Sequence, residues 1–104
     1  MPKVQKYWES KDETLPSETA SIINEYLLSL KLSNKAEATI IKYRRVLDQF
    51  FRECATPVEK LNSEIALKWL NGFSQGKKAK TIDLYLSTLS SFFQFCLEEE
   101  YMEQ

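Results

Sequence analysis

The sequence contains no histidine and only two cysteines, Cys54 and Cys96. Histidine is the commonest general base and the commonest metal ligand, so its absence removes the usual centre of both kinds of site. Two cysteines are too few for a zinc site without imidazoles and too few for a disulfide scaffold. The composition does not exclude a pair of catalytic carboxylates, although nothing in the sequence places two of them in an apolar pocket. We therefore expect no catalytic residue, no metal site, no cofactor and no enzymatic activity in this chain.

Glycine and proline are also scarce, with two and three residues in a chain of 104. A β-sandwich or β-barrel needs a turn about every eight to twelve residues, which this composition does not supply. Gly72 and Gly76 form neither a phosphate-binding loop nor a dinucleotide fingerprint. No apolar run reaches the roughly 18 residues of a membrane span, and the first ten residues lack the apolar core of a signal peptide. The length suits a single domain, which we expect to be cytoplasmic.

Apolar residues recur with a helical period in four stretches: at about 18–30, at 35–53, from 63 to the two glycines, and at 79–97. No stretch alternates with a period of two, so the predicted fold is all-α, a small bundle of four to five helices. We expect Ser17, Asn34 and Asn62 to cap the first three helices, with Asn34 and Glu37 spaced as a capping box. Residues 1–16 are polar and predict an N-terminal arm, followed by a domain at 17–104.

The second and fourth helices repeat each other at an offset of 42 residues. Seven residues recur at this offset: Thr39, Ile40, Tyr43, Leu47, Phe50, Phe51 and Cys54 match Thr81, Ile82, Tyr85, Leu89, Phe92, Phe93 and Cys96. Two amphipathic helices with similar cores could converge on such a pattern. The identities exceed what periodicity requires, however, and favour two pseudo-repeated helical hairpins at 17–54 and 62–96. The predicted inward faces also include Ala36 and Leu86.

The net charge of −1 conceals an uneven distribution of charge along the chain. Residues 31–81 contain 11 basic and 5 acidic residues, a balance of +6, whereas the remainder carries −7. Total charge therefore says little about the partner of this protein, because a strongly basic region lies between acidic ends.

The faces opposite the predicted core show where the basic residues lie, because each residue turns a helix by about 100°. On the second helix this face carries Lys35, Lys42, Arg45 and Arg52. On the fourth helix it follows a lysine cluster and is rich in short hydroxyl side chains: Lys77, Lys78, Lys80, Ser87 and Ser91, with Thr88 at the edge. A solvated surface is the alternative for each face. Two such faces on repeated helices favour binding to a polyanion.

The order of charges on the fourth helix opposes its dipole. A helix dipole favours acids at the N-terminus and bases at the C-terminus, by about 0.3–1 kcal/mol per charge. Here lysines lead, and three glutamates, Glu98 to Glu100, follow at the end. Free backbone N–H groups, the Thr81 hydroxyl and the lysines together suit a phosphate group. The alternative for the acidic end is that the helix stops before Glu98.

Three spaced motifs resemble the core-binding domain of tyrosine recombinases, the phage integrases and Xer-type enzymes. They are Thr39-Ile40-x-x-Tyr43-x-x-x-Leu47-x-x-Phe50, Leu61-Asn62-Ser63-Glu64-Ile65, and Thr81-Ile82-x-x-x-Leu86-x-x-Leu89-x-x-Phe92-Phe93-x-Phe95. The likeness covers about 17–104. The family often has serine three residues before each helix threonine, where this chain has Ala36 and Lys78, so the helix starts are expected to differ.

The resemblance implies a SAM-like bundle that holds one side of double-stranded recombination-site DNA. A separate C-terminal catalytic domain of the same parent chain would cut the other side, with the parent tetrameric on DNA. By position, DNA binding would fall on Lys42, Arg45, Lys77, Lys78, Lys80, Ser87 and Ser91. The charge of the second helix and the start of the fourth add Lys35 and Thr81 to the expected DNA-binding residues. The family's Asn-Pro after the fourth helix and its catalytic residues have no counterpart before Gln104, which predicts a non-catalytic domain of a longer integrase. A helical protein–protein interaction module is the alternative function.

Overall fold

The computed structural model describes residues 6–102. Within that range it contains α1 (Ser17–Leu32), α2 (Glu37–Glu53), a short 3₁₀ turn (Val58–Lys60), α3 (Ser63–Phe73) and α4 (Ala79–Glu98). The same residues include no β-strand. The prediction of a small all-α bundle of four to five helices is therefore confirmed. None of these helices, within residues 6–102, has the length and apolarity to cross a membrane.

The chain divides into two compact units, Met1–Glu53 and Cys54–Gln104. In the first unit α1 packs against α2, and in the second unit α3 packs against α4. Each unit thus contains one helical hairpin, in agreement with the division that the internal repeat predicts.

Apolar burial stabilises the helix pairing in the first unit. The buried apolar side chains of its two helices are Ile22, Ile23, Tyr26, Leu27, Ile40, Val46, Leu47, Phe50 and Phe51. Burial of one such side chain contributes about 1.5–3 kcal/mol of transfer free energy. Because the buried positions follow the helical period on both helices, the sequence pattern directly determines which faces meet.

The segment that precedes α1 is attached to the helices of its own unit. The backbone N–H of Ser10 donates to Asn24 Oδ1 at 2.6 Å. Lys31 Nζ lies 4.7 Å from the centre of the Trp8 ring, and Leu15 is buried. The described part of the predicted arm, residues 6–16, is therefore fastened at several points, while residues 1–5 lie outside the described residues.

The predicted capping roles of Ser17 and Asn34 are wrong. Pro16 occupies the N-cap position of α1, so Ser17 is the first helical residue. Asn34 has a φ of 63° and ends α1, with the N–H of Lys35 donating to Leu30 O at 3.0 Å. Asparagine tolerates this left-handed conformation better than most residues, which suits it to the end of a helix. The second helix therefore begins later than expected, at Glu37.

In the second unit, the predicted cap at Asn62 is confirmed. Asn62 Oδ1 accepts a hydrogen bond of 2.9 Å from the N–H of Ile65, and α3 begins at the next residue. Gly76 has a φ of 77° in the turn between α3 and α4, a conformation that favours glycine. The buried apolar residues of this unit are Val58, Leu61, Ala66, Leu70, Leu89, Phe92, Phe93, Cys96 and Met102.

Three positions depart from the predicted inward and outward faces. Ala36 and Leu86 were expected to point inward, but both are exposed, Leu86 to 43%. Ala36 lies before the start of α2, where the helical period does not yet apply. Thr88 was placed at the edge of the outer face and is instead fully buried. Its hydroxyl donates to Leu84 O at 2.7 Å, which satisfies it within the helix.

Candidate nucleic-acid interface

The first unit presents exposed basic side chains on one face of α2. Lys42 and Arg45 are both exposed and are three residues apart, so they lie on the same side of the helix. Arg52 continues this side two turns further on and is 57% exposed. Lys35 is exposed as well, but it lies in the connection before α2 and not on the helix, contrary to the prediction.

Sequence reasoning missed Arg44, which is buried between the helix and the segment before α1. Only 6% of Arg44 is exposed, and its Nη1 donates to the backbone oxygen of Tyr7 at 3.1 Å. The sequence shows only that Arg44 and Asp48 are four residues apart beside the apolar stripe of α2. Exposed pairs on any helix have the same spacing, so it does not reveal the contact with the segment before α1.

Asp48 is the acidic partner in this arrangement. Its Oδ1 accepts from the Ser10 hydroxyl, and its Oδ2 accepts from the N–H of Lys11 at 3.2 Å. Burial raises the pKa of Asp48 above the ordinary range of an aspartate, while these two hydrogen bonds and the charge of Arg44 oppose that rise. Asp48 therefore holds the segment before α1 onto α2.

In the second unit, the lysine cluster lies where α4 begins. Lys77, Lys78 and Lys80 are all exposed, and Lys78 is the N-cap residue of α4. Thr81 is half-buried, and its N–H donates to Lys78 O at 3.0 Å. The first turn of α4, which the structure describes in full, contains no acidic residue. The positive end of the helix dipole and the lysine charges therefore add.

An aromatic stack supports one side of this cluster. The Phe73 and Tyr85 rings are stacked at 4.3 Å between centres, and the Trp69 ring lies 5.0 Å from Phe73. Lys77 Nζ lies 5.1 Å from the centre of the Phe73 ring, a cation–π geometry. The stack joins the last two turns of α3 to the second turn of α4, and the first lysine of the cluster lies against it.

Ser87 and Ser91 are exposed on α4, four residues apart on one side of the helix. Ser87 lies about 10 Å along the helix from Lys80, at about 1.5 Å per residue.

Of the three glutamates expected at the end of α4, only Glu98 lies within the helix. The helix ends at Glu98, which accepts from Gln94 Nε2 at 3.0 Å, whereas Glu99 is the C-cap and Glu100 has a φ of 62°.

Residues 23–100 match the sequence model of the family described as phage integrase, N-terminal SAM-like domain. The chain belongs to this family. The match covers most of the 104 residues, and the predicted resemblance to an integrase domain is confirmed. Comparisons with curated proteins and with solved structures found no significant match.

The integrase family match includes α2, α3 and α4 and begins within α1. It places the chain in the non-catalytic N-terminal part of phage integrases. The segment 6–16, which Asp48 and Arg44 bind, precedes the matched residues. Among residues 6–102, no group of three or more histidine, cysteine, aspartate or glutamate residues could hold a metal ion.

Proposed function

We propose that this integrase-family domain binds double-stranded DNA as the core-binding part of a site-specific tyrosine recombinase, and so takes part in DNA integration and recombination. The observation that carries the proposal is the exposed lysine cluster, Lys77, Lys78 and Lys80, at the acid-free N-terminus of α4. Phosphate groups bind where backbone N–H groups, a helix dipole and cationic side chains coincide. The chemistry of strand cleavage would come from a catalytic domain of the same parent chain, acting as a tetramer on DNA.

Each unit would contribute a different kind of contact. In the first unit, Lys35, Lys42 and Arg45 would neutralise backbone phosphates. In the second unit, the lysine cluster and Thr81 would bind a phosphate at the start of α4. Ser87 and Ser91 would contact base edges further along, because hydroxyl groups both donate and accept hydrogen bonds. Phosphate contacts position a protein on the duplex, and base contacts supply the sequence preference.

The lysine cluster provides the direct test. Lys77, Lys78 and Lys80 are changed together to Glu, and binding to a duplex is measured by fluorescence anisotropy at low salt. The unchanged domain should bind non-specific duplex with a Kd of about 10⁻⁴–10⁻⁶ M, and the triple variant should not bind detectably. Because the three side chains are exposed, the helical circular dichroism spectrum should not change.

The control removes charge elsewhere in the same unit. Lys60 and Lys68 are exposed and lie outside the proposed interface, so their joint change to Glu should weaken binding only about tenfold or less, through the general field of the protein. Binding that survives the triple change would show that the assigned surface is wrong.

A protein–protein interaction module is the second candidate, because the separation of basic and acidic residues along the chain would also suit a charged protein partner. Leu32 on α1 is 73% exposed and Leu67 on α3 is 56% exposed, but single exposed leucines are common on folded proteins. A titration with duplex DNA followed by amide chemical shifts separates the two candidates. Shifts at α2 and at the start of α4 support DNA binding, and their absence at low salt supports the interaction module.

A further inference from the structure

A cleft in the first unit lies between α2 and the segment before α1. Its volume is about 320 Å³, roughly ten times the ~30 Å³ that one water occupies in the liquid. Apart from Gln49, its lining residues are all charged: Lys11, Asp12, Arg44, Arg45, Asp48 and Arg52, so four cationic side chains meet two carboxylates. The cleft is therefore basic as well as roomy.

The two carboxylates of the cleft have partners in the first unit, although Asp12 Oδ2 makes no hydrogen bond among the described residues. Both oxygens of Asp48 accept hydrogen bonds from residues 10 and 11. Asp12 accepts from the N–H and the hydroxyl of Thr14, and its Oδ2 lies 3.5 Å from Arg52 Nη1. The negative charge of Asp12 thus offsets the positive charge of Arg52, whereas Arg45 and Lys11 are exposed to solvent at the cleft. The lining keeps an excess of positive charge.

The burial of Arg44 shows that the cleft is more than a solvated basic surface. More than nine-tenths of Arg44 is buried, yet among the described residues its guanidinium makes one hydrogen bond, to Tyr7 O. A guanidinium carries five N–H donors. Asp48 attracts Arg44 electrostatically, but its oxygens accept from other groups. No guanidinium nitrogen of Arg44 is both buried and without a hydrogen-bond partner among the described residues, and Arg44 lines the cleft, so its remaining donors are accessible there to a bound anion.

We propose that this cleft binds a phosphate group, with Arg44 at its base and Arg45 at its rim. Planar guanidinium groups bind tetrahedral oxyanions through pairs of N–H donors, and a phosphate would use the donors that Arg44 leaves open. The phosphate is either a phosphodiester of bound DNA or a free phosphate ion. The first source rests on the proposed function, whereas the cleft itself does not. Lys11 and Asp12 precede the residues that match the integrase family, so the family match does not include the complete cleft.

The test uses the full chain and inorganic phosphate at constant ionic strength. Arginine side-chain Nε–H and backbone amide signals are followed by NMR during the titration. We expect saturable shifts at Arg44 and Arg45 and at neighbouring amides of α2. Shifts that do not saturate, or that spread evenly over both units, would overturn the proposal.

Variants distinguish phosphate binding in the cleft from a general effect of positive charge. Arg45→Gln should weaken phosphate binding about fivefold or more, because it removes a charged hydrogen bond from an exposed side chain without disturbing the core. Arg44→Lys keeps the charge but loses the forked donors and should weaken it further. Lys68→Gln removes one exposed positive charge from α3 and should change the phosphate Kd less than twofold. Equal losses in Arg45→Gln and Lys68→Gln would contradict the proposed cleft, and this comparison holds even if Arg44→Lys unfolds.

Competition with duplex DNA distinguishes the two sources of phosphate. If saturating phosphate weakens duplex binding to the unchanged protein but not to Arg45→Gln, the cleft takes a DNA phosphate. If phosphate and duplex bind independently, the cleft takes free phosphate. If the duplex binds while phosphate moves no arginine signal, the cleft proposal fails and the proposed function stands. If phosphate binds and the duplex does not, the cleft proposal stands and the proposed function fails.

Discussion

Asp12 and Asp48 connect the segment before α1 to α2, and their pKa values are displaced in opposite directions. Hydrogen bonds from Thr14 lower the pKa of Asp12, and the charge of Arg52 adds to this. Burial raises the pKa of Asp48. Ionised Asp12 therefore stabilises the fold, and this stabilisation is lost as the pH falls through its lowered pKa. Folding therefore makes ionisation of Asp48 less favourable than in the unfolded chain, so stability falls as the pH rises through its raised pKa.

Replacement of each aspartate by asparagine should reveal these opposite signs. Asp48→Asn can keep both contacts, since its oxygen can accept from the N–H of Lys11 while its amide donates to the Ser10 hydroxyl. Its stability relative to the unchanged protein should rise as the pH increases from the ordinary aspartate pKa through the raised pKa of Asp48. The relative stability of Asp12→Asn should fall as the pH increases from the lowered pKa of Asp12 through the ordinary aspartate pKa. Urea unfolding at several pH values measures both, and trends of the same sign in the two variants would contradict the assigned pKa displacements.

The residues that sequence reasoning missed are those whose partners are distant in the chain. Arg44 and Asp48 contact Tyr7 and Ser10, which are 37 and 38 residues away. Helical periodicity records only whether a position is near the core, and both residues lie at its border. A long-range polar contact leaves no local pattern, so the cleft that these residues form became visible only in the structure.

The helices themselves were predictable because each has an apolar stripe with a helical period. The residues at which the helices begin and end were less predictable. Asn62 and Asn34 are the same residue type in similar polar surroundings, yet one begins a helix and the other ends one. The difference lies in the backbone conformation, extended at Asn62 and left-handed at Asn34. A short sequence window does not encode that choice, and the capping-box spacing with Glu37 was therefore misleading.

The end of α4 offers a test at the level of a helix terminus. Glu100 has a φ of 62°, and the N–H of Tyr101 donates to Cys96 O at 2.7 Å, as in a helix that ends on a left-handed residue. Glu100→Gly should stabilise the fold by about 0.5–1 kcal/mol, because glycine adopts this conformation without the penalty of a β-carbon. Glu99→Gly serves as the control, since Glu99 has a φ of −90° and should gain nothing from glycine. Equal free energies of unfolding for the two variants would count against this account.

At the scale of the whole chain, basic and acidic residues are concentrated in different parts of the sequence, although their charges nearly cancel in total. The basic excess of +6 at 31–81 coincides with α2, α3 and the start of α4, and the acidic residues lie mainly before and after it. Such an arrangement lets a protein of net charge −1 bind a polyanion through part of its surface. The charge distribution therefore allowed the polyanion hypothesis, and membership of the integrase family supports DNA as the proposed polyanion.

The salt dependence of DNA binding tests how many phosphates this basic region neutralises. About five phosphate contacts predict that log K falls with log salt at a slope near −4 to −5, since each contact contributes about −0.9. Changing Lys77, Lys78 and Lys80 to Gln removes up to three contacts and should reduce the magnitude of the slope by about 2–3. The same change at Lys60 and Lys68, both exposed outside the proposed interface, should alter it by less than about 1. Anisotropy titrations over a series of salt concentrations give the slopes. An equal reduction in both variants would mean that the chain responds to its total charge, and the assignment of the phosphate contacts to the start of α4 would then be wrong.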